Sequence, residues 1–281
     1  MPRIGADELA AIAAARPLVD SHCHLLLLEE RGMLEESLAG AVAGGVEQIV
    51  TVGISLDDSD GNRRIAEQHP GVFFTVGWHP HEKTVPDAAQ LRALAELLRH
   101  PRAVAVGEVG LDQYWRPGYH DVPIEAQRRS LRAMLELAVE HDKPVVIHDR
   151  DAHDEVLAAL DDVPGVRGVM HCFSGDAAFA AACVERGFLC SFAGTVTFPN
   201  SDGIQAAAAS VGDEWLVVET DAPFLAPVPY RGRTNQPGYV GATCAAVARL
   251  RGASPDALAR TATANARRLF ALPGDDVLGG G

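Results

Sequence analysis

Three features of the sequence predict an α/β fold, a single (β/α)8 barrel of the TIM type. Short β-branched or apolar runs alternate along the whole chain with segments of helical periodicity, and eight such runs can be counted. At 281 residues the chain has the length of one such barrel, and it shows no repeat, low-complexity linker or charge run that would divide it. The first run lacks a GxGxxG turn, which argues against an open dinucleotide-binding sheet. Alternation of this kind makes right-handed βαβ units and a parallel sheet, and eight units within about 250 residues close on themselves. Residues 1–281 are therefore expected to be one domain, with a frayed tail from about residue 273.

Residues 1 to 16 have the pattern of an amphipathic helix and lack the basic start and long apolar block of a signal peptide. Pro17 to Val19 lead into the first strand, which carries Asp-Ser-His-Cys-His at 20 to 24; Leu25 to Leu28 and a polar turn are taken as its end. Leu34 to Ala43 is helical and Val46 to Val52 is strand two. Asn62 to Gln68 is a short helix, and Val72 to Val76 is strand three, which runs into Gly-Trp-His-Pro-His at 77 to 81. Asp87 to Arg99 is a helix with Leu91, Leu94, Leu97 and Leu98 on one face. Ala103 to Val106 is strand four, followed by Gly-Glu-Val-Gly-Leu-Asp at 107 to 112.

A long helix spans Ile124 to His141, and strand five, Pro144 to Ile147, ends on His148. Residues 151 to 160 are helical, and strand six, Val166 to Met170, ends on His171. Ala177 to Arg186 is a helix, Phe188 to Phe192 is strand seven and Ile204 to Val211 is a helix. Leu216 to Val218 is strand eight, which ends in Glu219-Thr220-Asp221. The last two helices are Val240 to Arg251 and Pro255 to Phe270, the second announced by Ser254-Pro255.

Composition narrows the class. Hydrophobic residues at 47% and charged residues at 22% suit a soluble globular protein, and no segment reaches the roughly 18 apolar residues of a membrane span. Five cysteines without CxxC spacing suit a reducing compartment, so a cytoplasmic location is expected. The net charge of −14 excludes a protein that grips nucleic acid through a broad basic surface, although phosphates can still be held locally. No obligate protein partner is indicated.

The candidate site comes from the strand ends. Two histidines one residue apart on a strand project to the same side, so His22 and His24 form a chelate while Cys23 points the other way. Glu108 follows strand four, His148 strand five, His171 strand six and Asp221 strand eight. A parallel barrel gathers all these ends on one face. Four imidazoles and two carboxylates exceed the roughly three protein ligands of one open catalytic ion, so two divalent ions are expected. If Glu108 bridges, one ion takes His22, His24, Glu108 and Asp221, and the other takes Glu108, His148 and His171. Such a pair suits in-line displacement at a phosphodiester.

His-x-His after strand one, Gly-Glu-Val-Gly-Leu-Asp at 107–112, His148-Asp149-Arg150-Asp151-Ala152, His171-Cys172-Phe173-Ser174-Gly175 and Glu219-Thr220-Asp221-Ala222-Pro223 together resemble the TatD family of metal-dependent deoxyribonucleases, a branch of the amidohydrolase-like barrels. The resemblance runs from about residue 18 to 271 and includes residues 77–81, Phe-Ala-Gly-Thr-Val-Thr-Phe at 192–198, and Asn265 with Leu269-Phe270. Many related hydrolases bridge their metals with a modified lysine from strand four; here Glu108 stands there, as in the TatD branch. The resemblance implies a nuclease supported by Mg2+ or Mn2+ that acts on DNA, often from a 3′ end. Some relatives remove D-amino acids from transfer RNA. Asp221 would then be both a ligand and the base that orients or deprotonates the attacking water. Purified protein is expected to carry Zn2+ or Ni2+ as readily, by the Irving–Williams order.

Around the metals, Arg150, Arg231, Arg233 and Asn235 are candidates for holding phosphate oxygens, and His79 and His81 for contacting substrate. Trp78, Tyr114 and Trp115 are candidates for stacking on bases. Leu26 and Gln236 depart from the family pattern, where an acid or amide and a glutamate are common, and both touch on specificity. The competing readings are a dinuclear hydrolase acting on an amide, ester, lactone or D-aminoacyl-tRNA, and a non-enzymatic interaction module built around a structural metal. A cysteine nucleophile is disfavoured because Cys23 and Cys172 are expected to face away from the mouth.

Overall fold

The computed structural model describes residues 6–114 and 116–279. Its strands are β1 (Leu18–Cys23), β2 (Val46–Thr51), β3 (Val72–Val76), β4 (Ala103–Asp112), β5 (Val145–Arg150), β6 (Gly168–Met170), β7 (Phe188–Phe192) and β8 (Leu216–Val218). They pair in parallel, each with the next, in one eight-stranded sheet. The sheet curls until β1 meets the end of β8. There Cys23 bridges Ala222, the His24 N–H donates to the Ala222 carbonyl at 2.7 Å, and the Asp221 N–H donates to the His22 carbonyl at 2.9 Å. Asp20 reinforces this seam by accepting from the Thr220 N–H at 2.9 Å and its hydroxyl at 2.6 Å.

The helices are α1 (Ala6–Ala14), α2 (Leu25–Glu30), α3 (Leu34–Ala43), α4 (Leu56–Gln68), α5 (Ala88–Leu98), α6 (Ile124–Glu140), α7 (His153–Asp161), α8 (Ala177–Glu185), α9 (Asp202–Ser210), α10 (Val240–Arg251) and α11 (Pro255–Phe270). No helix among the described residues is long and apolar enough to cross a membrane. The apolar surface falls into two layers. The larger lies between sheet and helices; α5 contributes to it with Leu94 and Leu98, its start fixed by an Asp87–Gln90 capping box. The smaller layer lies inside the barrel. Val19, Val50, Phe73, Val104, Ala105, Val146, Val169, Leu189 and Val217 supply it, so every strand contributes. Phe270 and Leu272 from the end of α11 plug it from below.

Four expectations change. Leu25 to Leu28 belong to α2, because Leu25 and Leu28 are buried three residues apart and the Leu28 N–H donates to the His24 carbonyl at 3.3 Å. A short apolar run carries no periodicity that separates strand from helix. The helix before Pro70 begins at Leu56 rather than Asn62, since Ser55 caps it by accepting from the Asp58 N–H. Strand four runs on to Asp112, through the glycine-containing segment.

Among the described residues of the tail, 273–278 are docked on the barrel. Gln48 donates to the carbonyls of Pro273 at 2.6 Å and Asp276 at 2.9 Å, the Leu278 N–H donates to the Glu47 carbonyl at 2.7 Å, and Asp276 pairs with Arg102 at 3.0 Å. Residues 273–278 thus cross the lower rim of the barrel.

Candidate metal centre

Side-chain alternation carries each interior strand from floor to mouth. In β5, Val146 sits in the floor and His148 comes two residues later; in β6, Val169 is followed by His171 at the same interval; in β8, Val217 leads to Glu219 and then Asp221. β1 breaks the pattern. Val19 faces the interior and so does Ser21, which contacts Ser191 at 3.2 Å, so strict alternation would next turn Cys23 inward. A bulge intervenes: from Asp20 to Cys23, β1 advances three residues while β2 advances two, Ile49 to Thr51. His22 and His24 therefore face the mouth and Cys23 joins the outer layer.

Two glycines let Glu108 into place. A Cβ at Gly77 would lie 2.0 Å from the Gly53 carbonyl oxygen and 2.4 Å from the Glu108 nitrogen, so only glycine allows the Glu108 N–H to reach Gly53 O at 2.7 Å. Gly110 has φ +154°, and a side chain there would meet the His148 carbonyl at 1.9 Å.

The structure brings all six expected ligands together. His22 Nε2 lies 3.6 Å from Glu108 Oε2 and 3.7 Å from Asp221 Oδ1; His24 Nε2 lies 3.8 Å and 3.3 Å from the same two oxygens. Donors arranged tetrahedrally at about 2.0–2.2 Å from an ion stand about 3.3–3.6 Å apart, so this group fits one cation with little adjustment. The other oxygen, Glu108 Oε1, contacts His148 Nδ1 at 2.7 Å, His171 Nε2 at 3.2 Å and His79 Nε2 at 3.4 Å. One carboxylate thus faces two donor groups. Both ring nitrogens of His22 and the Nδ1 of His24 are buried without a hydrogen-bond partner among the described residues, an arrangement that costs free energy unless a cation takes one of them.

The charge state follows from these contacts. Burial opposes ionisation of Glu108, yet His171, His79 and His148 hold its carboxyl well below the usual range. Burial likewise opposes ionisation of Asp221, and His24, His171 and His22 outweigh it, so this carboxyl is lowered too. His148 resists burial through its bonds to Asp112 and Glu108 and rises to about 9. His171 is also raised, burial being outweighed by Glu219 and Glu108. Burial lowers His22, and the His171 ring stacked on it at 3.7 Å adds to the effect. His79 falls to about 4, chiefly through burial. The protons on His148 and His171 are the ones a divalent cation would displace.

Two carboxylates that the sequence analysis left without a role hold the histidines in position. Glu219 Oε1 takes His171 Nδ1 at 2.9 Å and the Cys172 N–H at 2.8 Å, which leaves His171 Nε2 for the centre. Asp112 Oδ2 takes His148 Nε2 at 3.2 Å, His81 Nε2 at 2.8 Å and the Tyr119 hydroxyl at 3.1 Å. Both lie in quoted motifs, and only three-dimensional contact with a histidine identifies them.

The surrounding groups depart more from expectation. His79 joins the second donor group, and His81 is tied to Asp112. Arg150 stacks on Tyr114 with its guanidinium carbon 3.9 Å from the ring centroid, and donates to the Tyr119 hydroxyl at 2.7 Å. Arg231 stacks on Phe198 at 3.9 Å and donates to the Ala226 carbonyl at 3.1 Å, while Arg233 is exposed on the same loop. Asn235 is fully buried and spends its amide on the carbonyls of Thr220 at 2.7 Å and Phe224 at 2.6 Å; it clamps the loop instead of offering a free phosphate contact.

Of the three aromatic candidates, Trp78 is buried and donates to the Thr84 carbonyl at 2.8 Å, Tyr114 lies under Arg150, and Trp115 lies outside the described residues. A ring the sequence analysis missed is better placed: Phe224 is 45% exposed, 5.9 Å from His24 and 6.0 Å beneath Arg31. Leu26 packs against Gly61 on α4, and Gln236 N–H is held by the Asn235 side chain at 3.0 Å. Cys172 has φ 43°, and burial, then Asp221 and Glu219, push its thiol up, so it is a poor nucleophile.

The chain is similar to known proteins in sequence and in fold. The chain is 35% identical over 257 residues to the uncharacterized metal-dependent hydrolase YabD of Bacillus subtilis, covering 91% of this chain and 99% of the relative. It is 33% identical over 250 residues to the 3′-5′ ssDNA/RNA exonuclease TatD of Citrobacter rodentium, covering 85% and 92%. The crystal structure of YJJV, a TatD homologue from Escherichia coli, superposes with a TM-score of 0.84 at 30% identity over 93% of this chain and all of that one. Residues 19–271 match the family model described as TatD related DNase. The chain belongs to the TatD family of metal-dependent hydrolases.

Proposed function

We propose that residues 1–281 act as one barrel domain, a nuclease that hydrolyses phosphodiester bonds of single-stranded DNA, from the 3′ end, with two divalent ions. The observation that carries this reading is Glu108, whose two oxygens face two separate donor groups: His22, His24 and Asp221 on one side, His148 and His171 on the other. The name of the Citrobacter relative supports the substrate class and the polarity. Mg2+ or Mn2+ is the expected functional metal. Zn2+ or Ni2+ is expected after purification.

When bound, the ions supply Lewis-acid stabilisation of charge on the attacking and leaving oxygens. The chain's own residues do the rest. Asp221, kept ionised by His24, accepts the proton of the attacking water. Glu219 and Asp112 keep His171 and His148 turned so that their other nitrogens face the centre. Phe224 offers an exposed face on which a base stacks beside His24, with Arg31 above it. Short single strands and ends are the substrates a chain of net charge −14 can draw in, through the local charge of its mouth. Five free cysteines favour a cytoplasmic setting.

The test is hydrolysis of a short end-labelled single-stranded DNA by metal-stripped protein resupplied with Mg2+ or Mn2+, with Glu108→Ala alongside. Metal-dependent shortening from the 3′ end, absent in the variant, is the expected result. No cleavage by protein with two ions bound would overturn the nuclease reading in favour of an amide, ester, lactone or D-aminoacyl-tRNA substrate.

A further inference from the structure

A second constellation stands beside the Glu108 centre. His81 follows β3, Asp112 ends β4, and His120 lies in the loop that leads to α6; one donor atom from each lies within 4.8 Å of the others. We propose that these three residues form a further divalent-cation site, distinct from the two donor groups around Glu108.

The donor chemistry fits. Two imidazoles and one carboxylate, with a coordination position left open, are the ligand set of many mononuclear zinc sites, whereas Mg2+ prefers oxygen throughout. The site therefore suits Zn2+, Co2+ or Mn2+ better than Mg2+. His81 Nε2 lies 2.8 Å from Asp112 Oδ2 and His120 Nε2 lies 3.9 Å from Asp112 Oδ1, spacings that bracket those of donors around one small cation. Asp112 is 1% exposed, so the carboxylate of this group is withdrawn from water and faces the two imidazoles.

The second observation concerns His120 itself. Its Nδ1 is buried and has no hydrogen-bond partner among the described residues, and its Nε2 approaches no closer to Asp112 than 3.9 Å. His22 and His24 in the main centre share this buried Nδ1 without a partner among the described residues. The His120 ring is held by stacking on His81, centroids 4.4 Å apart at 20°, so it is packed without being hydrogen-bonded. A cation on Nε2 would bind the nitrogen that faces Asp112 and replace the proton shared by His81 and Asp112. Since Asp112 also receives His148, charge at this site is felt one ring away from Glu108.

The experiment compares zinc content in the full chain, metal-stripped, dialysed against Zn2+ and measured by elemental analysis. His120→Phe keeps the stacked ring and removes both nitrogens. Wild type is expected to hold one zinc per chain more than this variant, however many ions the Glu108 centre retains, so failure at that centre and failure here are distinguishable. Equal zinc in both proteins would overturn the proposal. His120→Cys supplies a different ligand atom at the same point: with Co2+ it should show a thiolate-to-cobalt charge-transfer band that the wild type lacks. A Co2+-loaded His120→Cys protein without that band would equally overturn it.

Discussion

The two ends of the barrel interior use the same eight strands in opposite ways. At the floor, apolar side chains from every strand meet Phe270 and Leu272, and the polar rim below them is paired: Gln48 holds the tail carbonyls and in turn accepts from Arg267 at 2.9 Å, while Arg267 also reaches Glu47 at 2.7 Å. At the mouth, three and five residues beyond Val19 of β1, nitrogens of His22 and His24 are buried with no hydrogen-bond partner among the described residues. The floor is locally satisfied and the mouth is not. The difference teaches that stability and chemistry are separated along the strand axis, so that unsatisfied groups are tolerated where the floor and the backbone already fix their positions.

That separation can be broken or sharpened by substitution. The largest effect is expected from Asp221→Asn, which should cost about 10²- to 10⁴-fold in turnover of the metal-loaded enzyme while circular dichroism shows the fold intact. A variant that kept more than about a tenth of the wild-type rate would remove Asp221 from the role of base. At the other end, Phe270→Ala should lower stability by about 3–5 kcal/mol in urea unfolding and leave the rate per folded molecule unchanged. Comparable losses of rate and stability in that variant would dissolve the distinction between floor and mouth.

A smaller effect belongs to the carboxylates behind the histidines. Glu219→Gln removes the charge that holds His171 Nδ1, and metal affinity measured by competition with a chelator should fall roughly 10- to 100-fold. The smallest effect lies at the rim. His153 is raised above its ordinary 6.5 by its bond to Asp149 at 2.7 Å, so the folded state favours the protonated ring. The contribution is therefore complete below about pH 6.5 and lost as pH rises through the folded value. His153→Gln should destabilise by less than about 1 kcal/mol at pH 5.5 and by nothing measurable at high pH, as thermal unfolding at the two pH values would show. A pH-independent difference would mean that His153 acts through packing on Phe179 instead.

The barrel and its ligands were legible for one reason: both are written as local alternation. A β-branched run followed at fixed phase by a histidine or carboxylate marks a strand that ends at the mouth, and six such residues converge by topology alone. What was not legible depends on contacts between distant segments. Leu25 to Leu28 could not be assigned to a helix from their hydropathy, because continuous apolarity has no period. The docking of residues 273–278 rests on Gln48, more than 200 positions earlier. Asn235 and Arg150 carry the groups expected to hold phosphate, but loop carbonyls take the Asn235 amide, and Tyr114 and Tyr119 engage the Arg150 guanidinium. The inward turn of His22 and His24 is a subtler case. Their shared side was evident from the spacing, whereas the bulge that points that side at the mouth is visible only in the pairing of β1 with β2.

The plug made by Phe270 and Leu272 also bears on how the molecule comes into being. Translation delivers all eight strands before the residues that fill the space beneath them. Each strand can pair with its predecessor as it emerges, but the ring of valines at 19, 50, 104, 146, 169 and 217 stays open to water until the last helix arrives. A chain that ended near residue 255 would therefore present the eight strands with all six proposed ligands in place and its apolar interior unsealed, the form in which a chaperone has most to recognise.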